Sequence, residues 1–159
     1  MDLREAVEHS SLFRDVAPED VDRIAAMASL RRFATGDIVV REDEEARDLF
    51  LICAGRAEVE VRSPLREGAQ GEAVQRLGTL RSGDVIGEIA LVDRCLRSAT
   101  VRATGALEVV VIPNEALRKT LTAAPALGYL VMTNVAKLLA ARIRETNLKL
   151  RNTIANLSF

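Results

Sequence analysis

The residue types best suited to chemistry are concentrated in one run, Gly83-Asp84-Val85-Ile86-Gly87-Glu88-Ile89-Ala90-Leu91-Val92-Asp93-Arg94-Cys95-Leu96-Arg97-Ser98-Ala99-Thr100-Val101. Gly87 permits close backbone approach, and Glu88 to Val92 can form one helical turn whose leading N–H groups face an anion. Arg97 adds a full positive charge in a planar fork that can donate parallel hydrogen bonds to phosphate oxygens, and Ser98 adds a hydroxyl. Glu88 is an acceptor when ionised and is repelled by a phosphate, so its fitting partner is a hydroxyl donor such as a ribose 2′-OH. A phosphate and a ribose together imply a nucleotide.

Taken singly, Arg97 reads as an ordinary surface cation and Glu88 as a solvated turn residue or its salt-bridge partner. Their order changes that reading. An aliphatic residue, Gly, Glu, an aliphatic residue, Ala, Leu, a variable stretch and then Arg-Ser-Ala run from Ile86 through Ala99. This pattern resembles the phosphate-binding cassette of cyclic nucleotide-binding domains, the family of catabolite activator proteins, protein kinase A regulatory subunits and cyclic nucleotide-gated channels. The likeness extends to Leu12-Phe13 ahead of a helix at Pro18, to the first turn at Thr35-Gly36-Asp37, and to Gly83-Asp84 entering the cassette.

The resemblance implies that Glu88 binds the ribose 2′-OH and Arg97 the cyclic phosphate, assisted by Ser98 and by backbone N–H groups around Ile89 and Ala99. Gly87 and Ala90 complete the cassette, and Leu77, Leu80 and Ile86 flank the base. Arg142, in the C-terminal helix, is the candidate to cover the base by stacking its guanidinium, with Leu138 and Thr146 as alternatives. Two positions depart from the family pattern: Asp43 stands where a turn glycine is usual, and Leu96 where many relatives carry proline. Aspartate tolerates left-handed geometry, so a conformational cost of about 1 kcal/mol is expected at Asp43 rather than a different fold.

Positioning these residues requires one core, and 159 residues with 48% hydrophobic content can bury one of useful size. Apolar spacings of three and four at Val21, Ile24, Ala25 and Ala28 predict a helix. Pro18 sits in its first turn with Glu19 and Asp20 at the positive end of its dipole, behind the weak cap Ala17. From Phe33 to Ile112 short aliphatic segments predict strands at Ile38–Val40, Leu49–Ile52, Ala57–Val61, Ala73–Leu77, Ala99–Arg102 and Glu108–Ile112. Turn signals separate them at Thr35-Gly36-Asp37, Ala54-Gly55-Arg56, Gly68 to Gly71 and Ser82-Gly83-Asp84.

A helical period returns at Ala116 to Leu121, and beyond Ala124-Pro125 it runs uninterrupted to about Leu157. The expected fold is mainly β with flanking helices: a jelly-roll-like β-roll with N-terminal helices and a long C-terminal helix. Residues 1–124 form the binding roll and 125–159 a lid and dimerisation helix. Ala136, Ile143, Leu150 and Leu157 recur every seven residues, with Leu139, Thr146 and Thr153 three positions later, a seam suited to pairing two helices. One domain has little surface left to cover Ile143 through Leu157, so a homodimer is expected there, and a downstream protein is the other candidate.

Composition excludes several classes. Lys and Arg number 22 against 23 Asp and Glu, which gives no bulk-charge grip on nucleic acid. Direct DNA binding is not expected, because the helix-turn-helix module of catabolite activator-like regulators does not follow the long helix. The apolar runs are broken by charges and the acidic start lacks signal-peptide character, so a cytoplasmic protein without membrane contact is expected. Cys53, Cys95 and His9 are too few ligands for a structural zinc or iron-sulfur site, and His9 is expected to precede the fold. A metal-dependent cupin enzyme, also a small β-roll, needs several inward histidines.

The sequence therefore reads as a non-enzymatic sensor with no cofactor, whose ligand is a cyclic mononucleotide. cAMP is favoured over cGMP because the base flank reads as apolar, with few groups for guanine's edge. The ligand is expected to bridge cassette and C-terminal helix and to favour the docked helix. The alternative is a degenerate, dimerising adaptor that takes no nucleotide or a different ligand such as a cyclic dinucleotide.

Overall fold

A computed structural model describes residues 2–64, 72–93 and 95–157. In chain order the elements are α1 (Leu3–His9), a 3-10 turn (Ser11–Phe13), α2 (Pro18–Ala25), β1 (Ser29–Phe33), β2 (Ile38–Val40), β3 (Asp48–Ala54), β4 (Arg56–Pro64), β5 (Glu72–Arg81), β6 (Val85–Ile86), α3 (Ile89–Val92), β7 (Thr100–Ala103), β8 (Leu107–Pro113), α4 (Asn114–Ala123) and α5 (Pro125–Leu157). The strands make two antiparallel sheets, ordered β1-β8-β3-β6 and β2-β7-β4-β5. This is the β-roll with flanking helices anticipated from the sequence.

Strands β3 and β8 are apolar almost without interruption because both faces of their sheet are covered. Leu49, Leu51, Cys53, Val110 and Ile112 point toward the helices and pack with Val7, Leu12, Phe13, Ile24, Leu117 and Val131. Their alternates Phe50, Ile52, Val109 and Val111 point into the roll against Ala57, Ile86 and Val101 of the other strands. One sheet is thus a shared wall between two cores. Each large side chain so buried contributes about 1.5–3 kcal/mol.

Two turns use one device. Asp37 accepts the N–H of Ala34 at 2.7 Å, and Asp84 accepts that of Arg81 at 2.8 Å, so each Gly-Asp pair closes its own loop. The turn signal at Gly68 to Gly71 and Arg94 of the cassette lie outside the described residues. Asp43 adopts φ 66°, the left-handed geometry expected of a residue standing for glycine.

Three expectations need correction. His9 is exposed but does not precede the fold: α1, closed by a reciprocal Asp2–Glu5 capping box, buries Ala6 and Val7 in the core. Strand β1 was not anticipated, because Arg31 and Arg32 give an edge strand little apolar signal; Arg32 pairs with Glu108 of β8 at 2.6 Å. Helix α5 is also less interrupted by charge than expected, since Lys137 is the only charged residue between Pro125 and Ala141.

A window within Pro125–Asn156 reaches mean hydropathy 1.3, which by length and composition suffices to cross a membrane. Core packing already accounts for the apolarity of its first half: Leu127, Val131 and Val135 are buried, and Asn134 donates to the carbonyls of Leu12 at 3.1 Å and Arg14 at 2.9 Å. Beyond it, Ile143, Leu148 and Leu150 are exposed.

Candidate functional site

A cavity of about 820 Å³ opens between β5, the segment around α3 and the middle of α5. That volume lies in the range of small-molecule sites. Leu77, Leu80, Ile86, Gly87, Glu88, Ile89, Ala90, Arg97, Ser98, Ala99 and Arg142 all line it, so the structure brings these residues of the sequence reading to one place.

Arg97 is fixed from both ends. Its backbone N–H donates to Glu44 O at 2.8 Å and its carbonyl accepts from Asp43 N at 3.0 Å, so the left-handed turn at Asp43 is what pins it. The side chain is 8% exposed, donates through Nη2 to Asp48 O at 2.6 Å, and lies over the Phe50 ring at 5.6 Å from the centroid. Nη1 is buried and has no hydrogen-bond partner. Burial lowers the pKa of this guanidinium, an effect opposed by Asp48, Glu88, Cys95 and Glu44.

Gly87 makes room for it. The residue adopts φ +90°, and a Cβ there would fall 2.1 Å from Arg97 Nη1 and 3.0 Å from Asp48 O. Any side chain at 87 meets both backbone strain and the buried cation.

Glu88 is 1% exposed. Its Oε1 accepts from Arg142 Nη1, and Arg142 Nη2 donates to Val85 O at 2.7 Å. Its Oε2 is buried without a partner. On the far side, Arg118 of α4 donates to Ala90 O and so holds the turn that follows Glu88. Two residues that line the cavity, Glu88 and Arg97, therefore each carry one buried polar atom without a partner among the described residues. Buried polar groups are nearly always satisfied, and a ligand group of the opposite kind is one way to complete such a pair.

The cavity also corrects details of the sequence reading. The expected apolar base flank is incomplete: Thr79 of β5 and Glu145, Thr146, Asn147 and Lys149 of α5 line the same space, and Lys149 Nζ donates to Leu77 O at 3.2 Å. Leu138 packs against the helical core instead of the cavity, whereas Thr146 reaches it. Arg142 is paired with Glu88 and Val85 O rather than stacked over an open face. Leu139, Ile143 and Thr146 of the heptad-like seam also line the cavity, so part of that stripe faces the roll. Leu96, the second departure from the family pattern, is exposed and forms an isolated bridge with Glu45.

Comparison with known proteins agrees with this geometry. The family model for the cyclic nucleotide-binding domain matches residues 30–123, more than half of the chain. The chain belongs to this family. It is 30% identical over 141 residues to the cyclic AMP receptor protein of Thermus thermophilus, a match covering 89% of this chain and 61% of the relative. It is 31% identical over 101 residues to the cGMP-dependent protein kinase egl-4 of Caenorhabditis briggsae, covering 64% of this chain and 12% of the relative. The chain thus spans only part of the length of these relatives. A solved cyclic nucleotide-binding domain from Methylobacillus flagellatus superposes with a TM-score of 0.80 at 25% identity, covering 95% of this chain and 82% of that one.

Proposed function

We propose that the chain is a non-enzymatic cytoplasmic sensor that binds a cyclic mononucleotide in this cavity. The single observation that carries the reading is that two residues lining one cavity, Arg97 and Glu88, each keep a buried polar atom, Nη1 and Oε2, without a partner among the described residues. A cyclic phosphate answers the first and a sugar hydroxyl the second. Ser98 and the peptide groups around Ile89 and Ala99 surround the phosphate, Gly87 and Ala90 shape the turn, and Leu77, Leu80 and Ile86 receive the base.

cAMP is the favoured ligand and cGMP the second. The relative whose match covers 89% of this chain at 30% identity is a cyclic AMP receptor protein, which supports the first. The polar groups Thr79, Thr146 and Lys149 on the cavity wall keep the second in contention. Residues 1–124 act as the binding roll and 125–159 as the output helix. The exposed Ile143, Leu148 and Leu150 support homodimerisation through that helix, with a downstream protein reading the ligand state. A degenerate adaptor is disfavoured because both chemical partners, Glu88 and Arg97, are present.

A thermal-shift panel of cAMP, cGMP and cyclic dinucleotides tests the reading. Ligand at a hundredfold excess over Kd contributes about 2.7 kcal/mol, which for a chain of this size is a rise of roughly 5–10 °C. No shift with either cyclic mononucleotide would remove the proposal.

A further inference from the structure

A second cavity, of about 1740 Å³, opens between the start of β3, the segment after α3, helix α4 and the beginning of α5. Ala46, Cys95 and Leu96 form a wall common to both cavities, whereas Asp48, Asn114 and Arg118 line only this one. Asn114 is 5% exposed, and its Nδ2 donates to Ala46 O at 3.0 Å. A carbonyl can only accept, so this bond fixes the orientation of the amide and leaves Oδ1, buried and without a partner among the described residues, as an acceptor. One helical turn on, Arg118 uses Nη2 on Ala90 O and keeps a buried Nε–H without a partner among the described residues.

The charges on the cavity wall sort in the same way. Arg47 pairs with Glu45 at 2.6 Å and Lys119 with Glu115 at 2.8 Å, and all four side chains are exposed. Arg118 and Asp48 form no ion pair with one another or with any other described residue. One cation with a free donor, one carboxylate and one amide oxygen are therefore left over on the same wall.

We propose that this cavity binds a small zwitterion, a free α-amino acid with an aliphatic side chain. Its carboxylate meets the Arg118 guanidinium, and its ammonium, with three donors, meets Asp48 and Asn114 Oδ1. Leu91, Leu121 and Met132 line the same space and receive the side chain. A zwitterion brings no net charge, so it answers the leftover cation and the leftover carboxylate together, which a simple anion or a simple amine does not. The volume exceeds what an amino acid fills, so the ligand occupies the part of the cavity bounded by α4 and the mouth stays wet. The site stands whatever ligand occupies the first cavity.

Equilibrium dialysis with labelled L-leucine tests the proposal, on the wild-type protein, Asp48→Asn and Arg118→Gln, with N-acetyl-L-leucine and L-leucinamide as competitors that each lack one charge. The wild type should bind L-leucine saturably, and each variant should bind it about tenfold to a hundredfold more weakly, the loss of one charge-assisted hydrogen bond. Neither blocked leucine should compete at equal concentration. Arg118→Gln also removes a contact to Ala90 O, so Asp48→Asn, which keeps its shape and the backbone carbonyl that holds Arg97, decides the matter if Arg118→Gln misfolds. Absence of saturable binding by the wild type at millimolar L-leucine, full affinity in Asp48→Asn, or equal competition by either blocked leucine would overturn the proposal.

Discussion

Arg142 and Glu88 form an ion pair across the wall of the cavity although 54 positions separate them in the chain. The pair joins the longest helix to the turn that carries Glu88, the carboxylate proposed to meet the sugar. The contact ties the middle of α5 to the residue after Gly87, on the wall of the same cavity.

Gly87→Ala tests the local architecture. The added methyl collides with the Arg97 guanidinium and requires a positive φ of an L residue, so the variant should lose about 1–2 kcal/mol of stability and bind cyclic nucleotide more weakly. Chemical denaturation and titration read the two effects separately. Unchanged stability and affinity would show that the turn relaxes freely.

The two thiols should differ. Cys53 is buried, its Sγ lies 3.6 Å from Leu51 O, and burial raises its pKa, so it stays protonated and unreactive at neutral pH. Cys95 is partly exposed and lines the cavity. Alkylation followed by mass spectrometry should modify Cys95 first, and saturating cAMP should slow it. Indifference of Cys95 to ligand would place the nucleotide elsewhere.

Asp43 holds a left-handed conformation that costs a non-glycine residue about 1 kcal/mol. Asp43→Gly should therefore gain up to about 1 kcal/mol, less whatever its contact with Arg62 contributes, and raise Tm by roughly 2–4 °C. Scanning calorimetry decides it, and a lower Tm would mean that the Arg62 contact outweighs the strain.

What the sequence revealed follows from how local each determinant is. Strands β3 and β8 were legible because a sheet covered on both faces needs unbroken apolar residues. The clustering of Gly87, Glu88 and Arg97 on one cavity was legible because they lie in one short run. Strand β1 was hidden by Arg31 and Arg32 on an edge, and β6 by its length of two residues inside a turn signal. The Glu88–Arg142 pair depends on how α5 docks, which no spacing within α5 encodes. The seam was ambiguous for the same reason: Leu139, Ile143 and Thr146 face the cavity although they fit a helix-pairing stripe.

The distal stripe has its own test. Leu150→Glu places a charge among exposed apolar residues of α5, so a homodimer built on that face should dissociate to monomers in sedimentation while the roll keeps its cyclic nucleotide affinity. A wild-type monomer would exclude that face as a self-association surface.

Titration of one cyclic nucleotide, cAMP, into the wild-type protein and Arg97→Leu measures the central claim. Loss of Arg97, which among the described residues lines the cavity without a carboxylate partner, leaves the phosphate unmatched and should cost about 2–5 kcal/mol, roughly thirtyfold to several thousandfold in Kd. Equal affinity of the two proteins would contradict the account.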